Sequence, residues 1–327
     1  MLIISQYLVS ELSAGPKAKK DIEKILKEEY NSKIYTLKLN GKEDKNFANK
    51  LMYKIRKAIF SLVHFKGKEL IIVQFPFNNK KIFTNRAKNK IAFIHDLDGI
   101  RKKDINIEKS EIESLNSYKY IIAHNNKMKQ YLIEKGIDEN KIYVLELFDY
   151  ICKGEKVNTT PNINDINIVY TGNFEKSPFI KQLEDSKMKF NLFLYGNGNV
   201  KSSERIFYKG KFLPDELPNK IEGDLGLVWD GNFDESDENQ GFKNYTKYNN
   251  PHKLSCYIAA GIPVIVWEKS AVAEFVKNND IGYLINNIYD INELDFSKYE
   301  QKKKNIKEIK EKVRKGYYTK KIIKEIF

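Results

Sequence analysis

Short runs of Ile, Val and Leu alternate with longer amphipathic stretches along most of the chain, and this alternation constrains the fold more than any other feature. Strands that are apolar throughout are typical of parallel sheets covered by helices on both faces. The alternation therefore predicts an α/β protein. The predicted strands are Leu2–Ser5, Ile34–Leu37, Leu70–Gln74, Ile91–Ile94, Tyr120–Ala123, Ile142–Leu145, Ile166–Tyr170, Phe190–Tyr195, Arg205–Tyr208, Leu225–Trp229, Val264–Trp267 and Gly282–Ile285. The predicted helices are Lys17–Glu29, Phe47–Phe65, Asn125–Lys135, Leu254–Ala260 and Ala271–Lys277.

Polar residues interrupt this alternation over residues 151–165, which predicts a linker. A chain of 327 residues is long enough for two domains. We therefore expect two lobes, residues 1–152 and 153–310, followed by a terminal segment, residues 311–327. Open parallel sheets bind ligands beyond the carboxyl ends of their strands, so the cleft between the lobes is the expected site.

The chain is basic, with 57 Lys and Arg against 44 Asp and Glu, but only five of the 57 are Arg. Base readout and bidentate phosphate recognition favour Arg, so we expect no nucleic-acid partner. Residues 301–327 hold eleven Lys and Arg and three Glu, which makes +8 of the net +13. Ile322, Ile323 and Ile326 recur there at helical spacing, which favours a terminal helix packed back on the first lobe over a helix on a membrane surface.

The few cysteines and histidines exclude several classes of protein. Cys152 and Cys256 lie far apart and the four histidines are scattered, so we expect neither a disulfide framework nor a metal cluster. No run approaches the roughly 18 apolar residues of a membrane-spanning helix, and the amino end lacks a basic leader. The five acids of Asp230–Gln240 leave a metal site open, although such runs are more often solvated surface. A cytoplasmic protein without metal or bound cofactor is expected.

The segment Asn249–Val266 predicts an anion site. Asn250 suits a helix cap, Pro251 a first helical turn and Gly261 a helix end. The start of this helix offers backbone N–H groups, to which Lys253 adds a full positive charge. Such a site suits a diphosphate. The alternative is an ordinary helix–strand unit whose lysine is solvated.

Two further turns follow predicted strands. In Tyr170–Ser177, Gly172 permits a tight turn, and Asn173 and Lys176 can face a ligand at the end of the strand. Gly and Asn turns are common, so this signal is weak alone, and the turn Tyr195–Gly198 is weaker still. Neither fits the dinucleotide-binding pattern of glycines, and the chain has no Walker loop.

In the first half, the strand Ile91–Ile94 runs into His95, Asp96 and Asp98. Either His95 or Asp96 could take a proton from a hydroxyl group, with Asp98 orienting the histidine or an acceptor. The alternative is that Asp96 caps the next turn and that His95 is buried with a hydrogen-bond partner. The segment Ser10–Gly15 is rich in Gly and Ser and predicts a loop that closes over a ligand.

These motifs resemble bacterial sugar-nucleotide-dependent glycosyltransferases with the two-lobed GT-B fold. The resemblance rests on the sequences DLGLVW, HKLSCYIAAGIPVIV, TGNFEKS and FIHD, and it covers nearly the whole chain. More narrowly, the chain is similar to the group containing the second glucosyltransferase of serine-rich adhesin glycosylation and β-1,6-galactofuranosyltransferases. This resemblance implies two Rossmann-like lobes that face each other across a cleft, with the acceptor at the first lobe and a UDP-sugar in the second.

The resemblance also implies site residues. Lys253 would contact the diphosphate, and its neighbours in the Asn249–Lys253 turn (Asn249, Asn250, Pro251, His252) would line the same pocket. Asn173 and Lys176 would lie beside the nucleotide, Phe212 near its base, and Ser13–Gly15 would approach the donor from the first lobe. Many retaining relatives carry two glutamates at the positions of Tyr248 and Cys256, so this chain lacks that motif and its stereochemistry is not implied.

The function that this resemblance implies is transfer of a hexose, with glucose favoured, from a UDP-sugar to a hydroxyl group of a glycan, a GlcNAc-modified glycoprotein or a surface polysaccharide. A UDP-galactofuranose-dependent enzyme and a non-catalytic GT-B partner are the alternatives. The sequence leaves open a homo-oligomer and a peripheral membrane contact through the basic carboxyl end.

Overall fold

A computed structural model describes residues 1–8, 14–39, 70–77, 89–154, 165–232 and 244–327. The predicted helix Phe47–Phe65, most of the predicted linker and most of the acidic run Asp230–Gln240 lie outside these ranges. Every predicted strand is present, with each end within three residues of its expected bound. The α/β class and the two parallel sheets expected for the GT-B fold are confirmed.

The first sheet contains six parallel strands in the order β2-β1-β3-β4-β5-β6. Strands β3 and β4 are buried along their whole length, as their apolar sequences require. The chain leaves β1 in one direction to form β2 and then crosses to the other side for β3, so the strand order reverses between β1 and β3. The strands are β1 (Leu2–Leu8), β2 (Lys33–Leu39), β3 (Ile71–Phe75), β4 (Lys90–Ile94), β5 (Tyr120–Ala123) and β6 (Ile142–Val144). The helices are α1 (Ala14–Tyr30), α2 (Asp98–Lys102), α3 (Ile105–Asn116) and α4 (Asn126–Glu134), with a 3-10 turn at Glu139–Lys141.

The second sheet also has six parallel strands, in the order β12-β11-β10-β7-β8-β9. The order reverses between β7 and β10, which is the arrangement of a doubly wound nucleotide-binding sheet. The strands are β7 (Asn167–Asn173), β8 (Asn191–Asn197), β9 (Ile206–Gly210), β10 (Leu225–Val228), β11 (Val264–Trp267) and β12 (Gly282–Ile285). The helices are α5 (Phe179–Gln182), α6 (Leu217–Lys220), α7 (His252–Ala260) and α8 (Ala273–Asn278), with 3-10 turns at Phe174–Lys176, Asp185–Lys187 and Ile288–Glu293.

Two C-terminal helices, α9 (Tyr299–Arg314) and α10 (Tyr317–Ile326), return from the second lobe to the first. Helix α9 packs against α7, and α10 packs against α1. The carboxylate of Asp149 accepts hydrogen bonds from the backbone N–H groups of Tyr318 (3.2 Å) and Thr319 (2.7 Å) at the start of α10. Lys320 and Lys321 of this basic helix pair with Glu29 and Glu146 of the first lobe, so part of its charge is neutralised internally.

The apolar core extends across both lobes rather than stopping between them. One buried cluster joins Ile22 of α1 to Ile306 of α9 and Ile322 of α10. None of the helices in the described ranges is both long and apolar enough to cross a membrane. Cys152 and Cys256 are free thiols.

Candidate active site

The second lobe places a lysine at the point where its strand order reverses. Lys253 lies in the first turn of α7, and its Nζ atom donates hydrogen bonds to the hydroxyl group of Tyr170 (3.0 Å) and to the backbone carbonyl of Trp229 (3.0 Å). It also forms an ion pair with Asp230, which follows β10. Burial alone would lower the pKa of Lys253, but Asp230 and Tyr170 hold it above its ordinary value. Lys253 is therefore a fixed cation at the carboxyl ends of β7 and β10, where such sheets bind ligands.

Glycine at position 172 makes room for this lysine. A Cβ atom there would lie 3.2 Å from Cε of Lys253, and the backbone φ of +144° also disfavours any other residue. The predicted tight turn at Gly172 is wrong, because β7 extends through this residue to Asn173; the missing side chain instead leaves room for Lys253 to cross the end of the strand.

Helix α7 begins at His252, two residues before the predicted bound Leu254 and one residue after the start that an Asn250 cap implies. Pro251 occupies the N-cap position in an extended conformation, the helix starts at His252, and no side chain caps it. The prediction that Asn250 caps this helix is wrong, because its side chain makes other hydrogen bonds. The helix start and Lys253 together form the positively charged end expected of an anion site.

Asn250 instead joins the two lobes. Its side-chain amide donates to the backbone carbonyls of His124 (2.8 Å) and Glu146 (2.9 Å) and accepts a hydrogen bond from Asn125 (2.7 Å). Its backbone N–H donates to Nδ1 of His124 (3.0 Å), while Nε2 of the same ring lies 3.1 Å from the carbonyl oxygen of Ile94. Burial lowers the pKa of His124 to about 4, consistent with a neutral ring that accepts at Nδ1 and donates at Nε2. The turn before α7 is therefore fixed against the carboxyl ends of β4 and β5.

Replacing Asn250 with alanine should destabilise the protein by about 3 kcal/mol, because two buried carbonyl groups and the Asn125 amide would lose their partner. Chemical denaturation of the variant measures this change in the free energy of unfolding. Asn173→Ala is the matched control. Its side chain is exposed and caps only a 3-10 turn, so we expect a loss of about 1 kcal/mol or less. Equal losses in the two variants would contradict the interlobe role of Asn250.

The first lobe has its own polar cluster at the point where its strand order reverses. Gln74 near the end of β3 is fully buried, and its amide nitrogen donates to Ser5 Oγ (2.5 Å) and to the carbonyl of Lys19 (3.1 Å). Its amide oxygen lies 2.8 Å from Nε2 of His95. Lys19 donates to the carbonyl of Gln6 (2.7 Å), and burial lowers its pKa to about 8 despite the nearby carboxylates of Asp96 and Glu23.

The two acids after His95 contact arginine rather than histidine. Asp96 pairs with Arg101 at 3.2 Å, and Asp98 pairs with Arg101 and Lys102. The prediction that Asp98 orients His95 is therefore wrong, because Gln74 holds the ring. Asp96 does not cap the next helix either. The carboxylate of Glu111 accepts hydrogen bonds from the N–H groups of Asp98 and Gly99 at its start.

Phe148 brings the two clusters together. Its ring stacks on His95 with 5.5 Å between centroids and makes edge contacts with His124 (4.8 Å) and His252 (6.1 Å). His252 immediately precedes Lys253, so His95 of the first lobe and the start of α7 both contact this one aromatic ring. The carboxyl end of β4 therefore lies close to the start of α7.

The other predicted residues occupy varied positions. Asn173 is exposed, and its side-chain oxygen accepts a hydrogen bond from the backbone N–H of Glu175. Lys176 ends the same 3-10 turn, and its side chain lies outside the described part of the chain. Phe212 packs against Tyr195 in the loop after β9, with 6.0 Å between ring centroids. The predicted loop over Ser10–Gly15 is wrong at its end, because α1 already begins at Ala14 and includes Gly15; residues 10–13 are outside the described ranges.

Asn249 and His252 each have one buried polar atom, Oδ1 and Nε2 respectively, without a hydrogen-bond partner among the described residues. The His252 ring stacks on Tyr150 at 4.8 Å, and burial lowers its pKa to about 3. Within the described ranges, no group of three His, Cys, Asp or Glu side chains is arranged to hold a metal ion.

Sequence reasoning missed Gln74, Lys19 and Tyr170. Lys19 lies in a predicted helix without any local motif. Gln74 and Tyr170 did carry a signal, since each is a polar side chain at the carboxyl end of an otherwise apolar strand.

Models of both domains of one protein family match this chain. The N-terminal domain described as glucosyltransferase 3-like matches residues 1–147, and the C-terminal domain of the same description matches residues 168–326. Among curated proteins, β-1,6-galactofuranosyltransferase WbbI of Escherichia coli (strain K12) is 28% identical over 341 residues, covering 100% of this chain and 98% of the relative. Glucosyltransferase 3 of Streptococcus parasanguinis is 26% identical over 272 residues, covering 79% and 78% respectively.

Solved structures show the same fold at low sequence identity. The lipopolysaccharide outer core galactosyltransferase WaaB, in its apo form, aligns with a TM-score of 0.62 and 13% identity over 100% of this chain and 99% of its own. Anabaena HepE in complex with UDP and glucose aligns with a TM-score of 0.58 and 12% identity over 100% and 98%. These likenesses show the two-lobed fold.

Proposed function

The chain belongs to the glucosyltransferase 3-like family of glycosyltransferases, and from this we propose that it transfers a hexose from a UDP-sugar to a hydroxyl group of a glycan acceptor. Glucose is the favoured sugar. The favoured acceptor is a GlcNAc-modified glycoprotein or a surface polysaccharide.

One observation carries this proposal. Lys253 and the start of α7, which no side chain caps, lie at the switch point of the second sheet, and Phe148 contacts both His252 of this helix and His95 of the first lobe. A cationic helix start binds a diphosphate, and a nearby group with a free lone pair suits the attacking hydroxyl group. The arrangement thus offers both halves of a transfer site.

The second lobe would stabilise the leaving group. The negative charge on the diphosphate grows as the glycosidic bond breaks, and the α7 N–H groups with the Lys253 ammonium are placed to bind it. Asp230 pairs with Lys253, so the diphosphate would compete with this carboxylate for the ammonium. These groups can supply the charge stabilisation without a metal ion.

The first lobe would act on the acceptor. Asp96 is paired with Arg101 and also bonds Tyr245, whereas His95 is held by a neutral amide. Burial, together with the charge of Lys19, lowers the pKa of His95 well below its ordinary value, so the ring is neutral at neutral pH and has a lone pair that can accept a hydrogen bond from the hydroxyl group. His95 is therefore the better candidate for the group that contacts the attacking hydroxyl in a single displacement.

A galactofuranosyl donor is the second candidate. The relative that covers the whole chain is a β-1,6-galactofuranosyltransferase, whereas the glucosyltransferase 3 relative covers 79% of it. Cys256 is buried in α7, and Tyr248 packs on Tyr131, so neither position supplies the sugar-binding glutamate of retaining relatives.

A thermal-shift panel tests the donor. We expect UDP and UDP-glucose to raise the unfolding midpoint, since a ligand bound only by the native state stabilises it by about 2.7 kcal/mol at 100 times its Kd. Uridine and ADP-glucose serve as controls and should give smaller shifts. A larger shift with UDP-galactofuranose than with UDP-glucose would favour the second candidate. The absence of any shift with all four UDP ligands, UDP-galactose included, would contradict the transferase proposal and favour a non-catalytic partner.

A further inference from the structure

We propose that Gln74 is a positioning residue for transfer. Its hydrogen bond fixes His95 as the tautomer protonated at Nε2 and leaves the lone pair of Nδ1 free to contact the hydroxyl group of the acceptor. This inference deepens the proposed function and rests on it for the identity of the substrate. The assignment of the tautomer itself rests on hydrogen-bond geometry alone.

The orientation of the Gln74 amide follows from its partners. Its nitrogen lies 3.1 Å from the carbonyl oxygen of Lys19 and 3.4 Å from a carboxylate oxygen of Glu23. Both of these atoms can only accept, so a donor must face them. Rotating the amide by 180° would place its oxygen against two other oxygens. The amide oxygen of Gln74 therefore faces His95, and Nε2 of His95, at 2.8 Å, must carry the hydrogen.

Aromatic stacking keeps the imidazole ring in the plane that this bond requires. Phe93 and Phe148 stack on His95 with centroid distances of 5.6 and 5.5 Å and interplanar angles of 24° and 21°. The ring is half-buried, and within the described part of the chain Nδ1 has no hydrogen-bond partner. Because Nδ1 and Nε2 lie on different edges of the ring, the bond to Gln74 leaves Nδ1 available to a ligand.

The Gln74 amide carries no charge, and this affects the protonation of His95. The charged or titratable groups around His95 come from three other elements: Lys19 of α1, His124 after β5, and His252 of α7, together with Asp96 of its own loop. Burial and the charge of Lys19 disfavour an imidazolium ion. A carboxylate in place of the Gln74 amide would favour that ion, whereas an amide orients the ring and leaves it neutral.

Nitrogen NMR of protein labelled with ¹⁵N-histidine tests the tautomer without requiring any activity. The signals of His95 are assigned by their loss in the His95→Phe variant. We expect Nε2 to be protonated and Nδ1 to be unprotonated at neutral pH. Protonation at Nδ1, or rapid exchange between the two tautomers, would overturn the proposal even if the protein binds UDP.

Two variants test the consequence for transfer. Gln74→Met removes the hydrogen bond to His95 and has a similar side-chain volume. We expect kcat to fall by about 10- to 100-fold and the Kd for UDP to stay unchanged, because a misplaced His95 ring slows transfer without weakening donor binding. Gln74→Glu keeps an oxygen acceptor but adds a charge, so the pKa of His95 should rise and the acidic limb of the kcat profile should shift to higher pH. Gln130→Met, at an exposed glutamine that bonds Glu134, is the matched control.

If Gln74 has only a structural role, the kcat of both variants should fall in proportion to their loss of stability, and the pH profile of kcat should not change. That result would contradict the proposal. If wild-type protein neither binds nor turns over any UDP-sugar, the proposed function fails, while the NMR result still decides the tautomer.

Discussion

Replacing Lys253 with methionine should weaken UDP binding by about 10- to 100-fold. The variant removes the ammonium group at the start of α7, and a hydrogen bond to a charged partner contributes about 1.5–3 kcal/mol. Methionine keeps most of the aliphatic length that crosses Gly172, so the packing of the strand ends should persist. Isothermal titration with UDP measures the Kd directly.

This variant also leaves Asp230 without its cation, because Lys253 and Asp230 form an ion pair. The pair is mostly buried, with 14% of the Lys253 side chain and 24% of the Asp230 side chain exposed. Some loss of stability is therefore expected from Lys253→Met alone. The double variant Lys253→Met/Asp230→Asn removes both charges and separates the two effects. It should recover stability but not UDP affinity. The single variant Asp230→Asn should bind UDP at least as tightly as the wild type, because a competing carboxylate is gone. Wild-type affinity in the double variant would show that Lys253 does not bind the diphosphate.

Replacing His95 with phenylalanine should lower kcat by about 100-fold or more, because a group that accepts a proton in the transition state contributes about 10²- to 10⁴-fold. Phenylalanine preserves the stacking on Phe93 and Phe148 and removes both ring nitrogens. The Kd for UDP should change by less than about twofold, since the contacts of His95 are with Gln74, Phe93 and Phe148 rather than with Lys253. Steady-state transfer assays and UDP titrations on the same preparation separate the two quantities.

Asp96→Asn is the matched comparison for His95. Asp96 is paired with Arg101, so we expect a smaller loss of kcat than in His95→Phe. A larger loss in Asp96→Asn would assign proton transfer to the carboxylate instead. Near-normal rates in both variants would mean that neither residue accepts the proton of the acceptor.

The fold was predictable from the sequence because both sheets are buried on both faces. A strand such as Val264–Trp267 has no polar face, so its apolar run marks its bounds, and the structure gives the same bounds. Helix starts were less predictable. The cap of α7 was misplaced by one residue, at Asn250 instead of Pro251, because Asn250 hydrogen-bonds to residues more than 100 positions away in the first lobe, which local capping preferences do not include.

The candidate site was predictable only in part, because the partners of its residues are distant in the sequence. Lys253 and His95 follow from local rules, because one begins a helix and the other ends a strand. Their partners do not. Tyr170 meets Lys253 across 83 positions of sequence, and Gln74 meets His95 across 21, through strand order that no local pattern encodes. The wrong prediction that Asp98 orients His95 has a different origin, since Asp98 is bound by Arg101 one turn later in the same helix, a local pair that the sequence analysis did not consider.

A structure of the protein with UDP bound tests the central claim most directly, through the distance from Nζ of Lys253 to the nearest phosphate oxygen. We expect a distance of about 2.8 Å, as in other charge-assisted hydrogen bonds. Diphosphate oxygens should also face the N–H groups at the start of α7, and Asp230 should be displaced from the ammonium. A diphosphate bound elsewhere, with the Lys253–Asp230 pair intact, would contradict the central claim.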